Sequence, residues 1–412
     1  MADLFDKIKS FTVVKEAREA GIYPYFQALQ NSEGTTATFE GREVIMIGSN
    51  NYLGLTTHPK VREAAIKAIE TYGTSCTGSR FLNGTLELHI ELERKLAEYF
   101  RAEAALTFTT GYQANVGTIT ALVGKGDYVI CDKEDHASIV DGCLMSYGEM
   151  RRFSHNDYSS LENVLSRIPD SAGKLVVVDG VYSMGGDIAP LPDLIAICKK
   201  YGARIMVDDA HSVGVLGHGR GTAAHFGVED QVDVTMGTFS KSFASVGGFI
   251  FGNAELLDYI QHHARALIFS ASLPPANAAT VLACLEILQA EPEIVERLWE
   301  NANYMRAGLK SLGYNIGRSN TPIIPLIIGD DMRTGLAWRA LINAGVYTNP
   351  VVPPGVPSGS SLLRTSYTAT HQKHHLDRAL EVLEEVGHNL DLIPGGNSLL
   401  KAPITATTAN VG

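Results

Sequence analysis

The sequence predicts an α/β fold in which a mostly parallel central sheet is flanked by helices, with a smaller C-terminal α+β domain. Two observations carry this. Short apolar runs of strand length, most of them rich in Val and Ile, recur at 104–108, 128–131, 175–179, 204–208, 232–236 and 248–251, and helical segments such as 192–201 separate several of them. The runs are near-continuous in hydrophobicity, the pattern of strands covered on both faces.

The elements follow in order. Residues 1–59 read as an N-terminal arm. Mixed helical periodicity over 4–20 breaks before Pro24, which disfavours helix at the residue preceding it, and 36–48 alternate as a hairpin around Glu40-Gly41-Arg42-Glu43. Residues 60–300 read as the large α/β domain. It opens with helices over 61–72, closed by Gly73, and 86–100. A long helical region over 275–310 leads into the α+β domain, residues 301–394, with strands at 323–328 and 362–367 and helices at 332–344 and 372–387. The small, polar stretch 395–412 reads as a frayed tail.

Composition removes several function classes. Apolar residues make up 45% of the 412 positions and charged residues 19%, a globular balance with room for a buried site. The net charge is −11 and no basic cluster is long enough for a nucleic-acid footprint. Five scattered cysteines without a C-x-x-C argue against zinc or a disulfide framework and fit a reducing cytoplasm. No run suits a signal peptide, and none approaches the roughly 18 to 20 apolar residues of a membrane span. Surface contact with a membrane stays open.

Ligands of open α/β sheets gather at the carboxyl ends of the strands, so polar residues just beyond the apolar runs are the ones to weigh. Three groups stand out. Asp208-Asp209-Ala210-His211-Ser212 ends one run, where two acids and a histidine are costly without partners. Gly237-Thr238-Phe239-Ser240-Lys241-Ser242 follows another and places an amine among small residues, where burial lowers its pKa and makes it nucleophilic toward carbonyls. Asp135-His136-Ala137-Ser138 lies beyond a third.

Singly, each is weak: a Ser-Lys-Ser is usually a surface loop, and a lone histidine is usually structural. Together they suit pyridoxal phosphate, which needs a lysine for a Schiff base and an acid to keep the pyridine nitrogen protonated. Lys241 and Asp208 fill these roles. The turn Thr110-Gly111-Tyr112 before a helix offers backbone N–H groups to a phosphate, with hydroxyls from Thr238 and Ser240. His136 can stack on the ring, and His211 can reach its phenolic oxygen. The competing motifs fail. The glycines of 214–221 lack G-x-G-x-x-G spacing, no P-loop exists, and Tyr182-Ser183-Met184-Gly185 lacks the first glycine of a nucleophile elbow, Val181 standing there. His371, His374 and His375 read as a solvated helix start, not a metal site.

The chain also resembles the α-oxoamine synthases, fold-type I pyridoxal-phosphate enzymes, over roughly residues 20–390. The matching motifs are Ser49-Asn50-Asn51-Tyr52-Leu53-Gly54, Gly78-Ser79-Arg80 with Asn83-Gly84-Thr85 and His89, and Thr110-Gly111-Tyr112. They continue with Asp135-His136-Ala137-Ser138, Gly180-Val181-Tyr182-Ser183-Met184, Asp208-Asp209-Ala210-His211-Ser212 and Gly237-Thr238-Phe239-Ser240-Lys241. Asp209 departs from the glutamate common in the family. The resemblance implies a decarboxylative condensation of an amino acid with an acyl-CoA, in a homodimer whose active sites lie at the subunit interface. It assigns catalysis to Lys241, His136, Asp208 and His211, and adds Ser183 to the cofactor contacts. Ser270 and Ser272 are expected at the phosphate of the partner's cofactor, and Arg364 at the substrate carboxylate with Asn50 or Asn51. Tyr23-Pro24-Tyr25-Phe26 and the serine before Lys241 resemble the branch that joins L-serine to a long-chain acyl-CoA such as palmitoyl-CoA; glycine- or alanine-using relatives are the alternative.

Overall fold

A computed structural model describes residues 3–9, 11–32 and 34–395; nearly all of the expected tail at 395–412 lies outside the described residues. The apolar runs form a seven-stranded sheet. Its spatial order is Ala104–Phe108, Gly248–Gly252, Val234–Thr238, Arg204–Asp208, Lys174–Asp179, Tyr128–Asp132, Glu149–Phe153. Only Gly248–Gly252 runs antiparallel, pairing both its neighbours.

Alternate strand residues feed two buried layers. Val129, Cys131, Leu175, Val177 and Met206 join one cluster with Ala114 and Ile119 of the helix Gly111–Leu122 and Ile139 of the helix Ala137–Met145. Ile130, Val176, Val178, Ile205 and Val207 join another with the helices Tyr158–Leu165 and Leu191–Lys200. This two-sided burial explains the continuous apolar runs. The strand Glu149–Phe153 escaped the sequence pattern because its Arg151 and Arg152 are exposed at the sheet edge. The strand expected at 232–236 is displaced to Val234–Thr238, so Thr238 is a strand residue.

The helical region at 275–310 is two helices, Pro275–Ala290 and Glu293–Leu312, interrupted at Glu291-Pro292. The first packs with the helices Pro59–Tyr72 and Glu87–Phe100 in one core. The second starts in that same core through Ile294, Val295 and Leu298 and carries Met305 and Leu309 into another, built with Ile324, Leu326, Trp338, Leu363 and Val382. The hairpin Thr36–Phe39/Arg42–Met46 contributes Phe39, Val44 and Met46 to that same core, and its second strand pairs in parallel with Val346–Tyr347. Arg364 sits on Ser361–Ser366, the middle strand of a three-stranded sheet. No helix among the described residues is long and apolar enough to cross a membrane.

Candidate active site

Six of the seven strands of the large sheet present their carboxyl ends along one edge. Beyond Thr238 the chain reverses in a tight loop closed by Phe239 N–H to the Gly247 carbonyl at 2.9 Å. Phe239, Ser242 and Phe243 anchor this loop in the core, Ser242 Oγ donating to the Val213 carbonyl at 2.7 Å. Lys241 thereby lies within electrostatic reach of Asp208 and Asp179, at the ends of neighbouring strands, and of Arg364. Burial pushes its amine down from the ordinary lysine value to about 8; the Asp208 carboxylate opposes that shift and the Arg364 cation reinforces it. Lys241 also lines a cleft of ≈470 Å³ with Asn50, Asn51, Ser245 and Asn277.

Asp208, 2% exposed, ends the neighbouring strand. Its Oδ1 accepts from Ala210 N–H at 2.9 Å and its Oδ2 from Asn115 Nδ2 at 2.6 Å. Asn115 gives its other amide hydrogen to Ser138 Oγ at 2.8 Å, and Ser138 Oγ lies 2.7 Å from His136 Nδ1. Because Ser138 Oγ accepts from Asn115, its own proton is free for His136. Ser138 N–H also points at that nitrogen, at 3.2 Å. His136 Nδ1 is therefore an acceptor, and its ring proton sits on Nε2. His136 keeps an exposed face. Desolvation holds its imidazolium form down, against the pull of Asp208 and with the help of Lys241.

His211 is buried, and Tyr52 Oη approaches its Nδ1 at 2.7 Å. Burial, with the cations of Lys241 and Arg364, pushes its pKa well below the ordinary value, so it is neutral. Arg364 is 4% exposed. Its Nε donates to the Ser183 carbonyl at 2.6 Å and its Nη2 lies 3.5 Å from Tyr52 Oη. Ser183 thus meets Arg364 through its backbone. Of the two asparagines, Asn50 is the one in this network, its Oδ1 3.4 Å from Tyr52 Oη. Asn51 turns its Nδ2 to Thr56 at 2.8 Å.

The residues expected to cradle a phosphate lie near Lys241. Thr110 caps the helix Gly111–Leu122, its Oγ1 accepting from Gln113 N–H at 3.1 Å, which leaves the Gly111 and Tyr112 amides at the helix start. A Cβ on Gly111 would come within 2.8 Å of Thr238 Oγ1, so only glycine fits against that hydroxyl. Thr238 and Ser240 hydroxyls lie 2.9 Å apart at the same place. The Tyr112 side chain turns away to Asp141. Ser270 Oγ accepts from Gln113 Nε2 at 3.0 Å, and Ser272 Oγ donates to the Gly78 carbonyl at 3.0 Å.

Behind His136 stands a set of buried acids. Asp179 accepts from His136 N–H at 2.9 Å, and Asp135 accepts from Asp179 N–H at 2.9 Å and Asp132 N–H at 2.8 Å. Burial pushes both Asp135 and Asp179 well up. His155 bridges Asp132 and Asp187 at 3.0 and 2.8 Å; those bonds overcome its burial and raise it to about 10. These groups brace the turn that carries His136.

An acid held by two donors, an amine with a depressed pKa, an imidazole with an exposed face and a helix start with no room for a side chain together fit pyridoxal phosphate. Residues 42–383 match the family described as Aminotransferase class I and II. The chain belongs to that family. Among curated relatives, serine palmitoyltransferases of Bacteriovorax stolpii and Sphingobacterium spiritivorum are 50% and 47% identical, covering 91% and 93% of this chain and 90% and 96% of theirs. An 8-amino-7-oxononanoate synthase of Alkaliphilus oremlandii is 43% identical over 92% of this chain and 97% of its own. Among solved structures, serine palmitoyltransferase from S. paucimobilis with a bound PLP–myriocin aldimine superposes with a TM-score of 0.93 at 38% identity, over 95% of this chain and all of that one. These relatives place the chain among the α-oxoamine synthases, PLP-dependent acyltransferases within the family, and its cofactor is pyridoxal phosphate.

Sequence reasoning missed Asn115 as a site residue. It is a wholly buried amide in the buried stretch Ala114–Ile119, where Thr118 is the other polar side chain, and an amide in that stretch was its only signal. Tyr52 lay within a quoted motif without a role. The solvated-helix reading of His371 is corrected: it is 5% exposed, with Nδ1 accepting from Thr368 N–H and Nε2 against the Met46 carbonyl. Asp209, the departure from the family's glutamate, is buried, accepts from Thr222 N–H at 2.8 Å, and is pushed by burial up to about 6. Gly180 and Gly221 approach it too closely for any Cβ, so the space around this position is closed.

Proposed function

We propose that this chain condenses L-serine with a long-chain acyl-CoA, with palmitoyl-CoA as the representative, releasing CO2 and CoA and forming 3-oxosphinganine, the first step of sphingolipid synthesis. The observation that carries this reading is Arg364. Its guanidinium is buried, and no carboxylate among the described residues pairs with it. A buried cation without an anion is costly, and a substrate α-carboxylate supplies one in the two-pronged geometry that a guanidinium favours. The names of the relatives support serine and a palmitoyl thioester as the pair.

Pyridoxal phosphate, when bound, supplies an electron sink for the charge that develops at the substrate Cα. Asp208 would hold the ring nitrogen in its protonated form. Gly111, Tyr112, Thr238 and Ser240 would take the phosphate. Arg364, with Asn50, grips the substrate carboxylate and sets which Cα bond faces the cofactor. Lys241, with its amine near 8, can take the Cα proton close to neutral pH as general base. His136 would offer Nε2–H to the substrate carboxylate or the thioester carbonyl, and His211 would offer its remaining proton to the phenolic oxygen of the bound cofactor.

The working unit in this reading is a cytoplasmic homodimer in which Ser270 and Ser272 complete the partner's phosphate site. Large exposed side chains support it: Phe81, Leu82 and Phe269 lie in the loops that carry Gly78, Ser270 and Ser272. The test is a matrix of L-serine, glycine and L-alanine against acyl-CoA lengths, with released CoA thiol and product mass as readouts. Serine with palmitoyl-CoA should dominate. Alanine with a shorter acyl thioester dominating would replace this reading with the oxononanoate type, to which the 43% identity points.

A further inference from the structure

The Tyr52 side chain is 1% exposed, yet its hydroxyl touches three functional groups at once: His211 Nδ1 at 2.7 Å, Asn50 Oδ1 at 3.4 Å and Arg364 Nη2 at 3.5 Å. Its ring stands edge-on to the His211 imidazole, the centroids 6.1 Å apart at 69°. A phenol has one proton to give. Arg364 can only donate, so Tyr52 Oη is its acceptor. The Tyr52 proton then has two candidate acceptors, and the imidazole nitrogen is the nearer by 0.7 Å, the difference between 3.4 and 2.7 Å. Burial, with the neighbouring cations, keeps His211 neutral, so it holds a single ring proton, and with Nδ1 occupied as an acceptor that proton is on Nε2.

We infer that Tyr52 is a positioning residue: its hydroxyl fixes the His211 proton on Nε2, aimed into the site, and joins that proton to the arginine that awaits the substrate carboxylate. The inference rests on the proposed reaction for its purpose. Its physical content, a single tautomer imposed by one hydroxyl, stands on the chain's own atoms. A substrate carboxylate on Arg364 draws the guanidinium toward itself and weakens the Arg364–Tyr52 contact. Tyr52 becomes a poorer donor, and the change reaches His211 at the moment substrate binds.

The test uses holoenzyme labelled with 15N-histidine. In the wild type, His211 should give the resonance pair of an imidazole protonated on Nε2, and saturating serine should shift it. In Tyr52→Phe, which keeps the buried ring, the same signals should move to a mixture of tautomers and lose their response to serine. The absorption band of the bound cofactor should shift too, and kcat should fall by about tenfold, the scale of one buried hydrogen bond. Asn50→Ala removes the other acceptor and should leave the His211 tautomer unchanged. The inference is overturned if Tyr52→Phe keeps the wild-type pair and spectrum, or if Asn50→Ala is the variant that disturbs them. A wild type that fails to condense serine but shows the fixed tautomer would overturn the proposed reaction and leave this inference standing.

Discussion

The two edges of the seven-stranded sheet make an instructive contrast. The amino edge holds the larger cleft, ≈970 Å³, lined by Arg101, Glu103, Asp127, Lys174, Arg204 and Asp233 among others. The cleft at the carboxyl edge beside Lys241 is about half that size, ≈470 Å³. Yet several charges of the larger cleft find partners locally. Arg204 pairs with Asp233 at 2.8 Å, Glu103 accepts from Asn253 and Ala254, Asp127 accepts from Gly124, and Lys174 donates to the Tyr201 carbonyl. At the carboxyl edge Lys241 is displaced to about 8, His211 is held neutral, and Arg364 has no anion among the described residues. Volume does not locate chemistry here; unsettled charge does.

The sharpest way to break the contrast is Lys241→Ala. If the amine is general base as well as anchor, condensation should drop by at least the roughly 10²–10⁴-fold that a positioned base contributes. Thiol-release assays with the variant at high concentration check this, and near-normal turnover would sink the scheme. Arg364→Lys comes next. It keeps the charge and loses the planar fork, so the serine KM should rise by about tenfold or more while palmitoyl-CoA KM barely moves. An equal rise in both would mean that Arg364 supports the fold and does not bind the carboxylate.

Much of this edge was legible in the sequence, for a physical reason. A polar residue at the end of a buried apolar run has few ways to be satisfied, so Asp208, Thr238 and the turn at Gly111 announced themselves by position. Arg364 was found by resemblance, since nothing in Leu362-Leu363-Arg364 says that its guanidinium crosses from the smaller sheet to the Ser183 carbonyl. What stayed hidden was the wiring between elements. Asn115 bridges Asp208 and Ser138 across residues 93 and 23 apart in the chain, a juxtaposition that only the packed helix creates. The strand at Glu149–Phe153 was hidden because an edge strand can leave its arginines in water.

That wiring makes a smaller but more selective prediction. Asn115→Ala strips a donor from buried Asp208 and from Ser138, and should cost about 1–3 kcal/mol of stability by denaturant melt. The freed Ser138 no longer directs its proton, so the activity loss should exceed what the stability loss explains. Unchanged activity in the folded variant would show that His136 holds its tautomer unaided. The amine itself can be titrated: the rate at which cofactor-free protein captures pyridoxal phosphate should rise with pH and level off above about 8, because the neutral amine is the nucleophile and burial has lowered its pKa. A midpoint near the ordinary lysine value of 10.5 would place the amine in water.

The smallest expected effect belongs to the opposite edge. Arg204 is largely exposed and its partner Asp233 also accepts from Ile205 N–H at 2.8 Å, so Arg204→Ala leaves that carboxylate a donor. Stability should move by no more than about 0.5 kcal/mol, the usual worth of an exposed pair, and condensation rate and substrate KM should not move. This near-zero result carries weight because Arg204 and Asp208 are the two ends of one strand, four residues apart. The variant therefore tests whether the rigid strand insulates the reacting edge from a charge change at its far end. A loss of condensation in a protein of unchanged stability would mean that the larger cleft participates in the reaction, and the contrast between the edges would have to be redrawn.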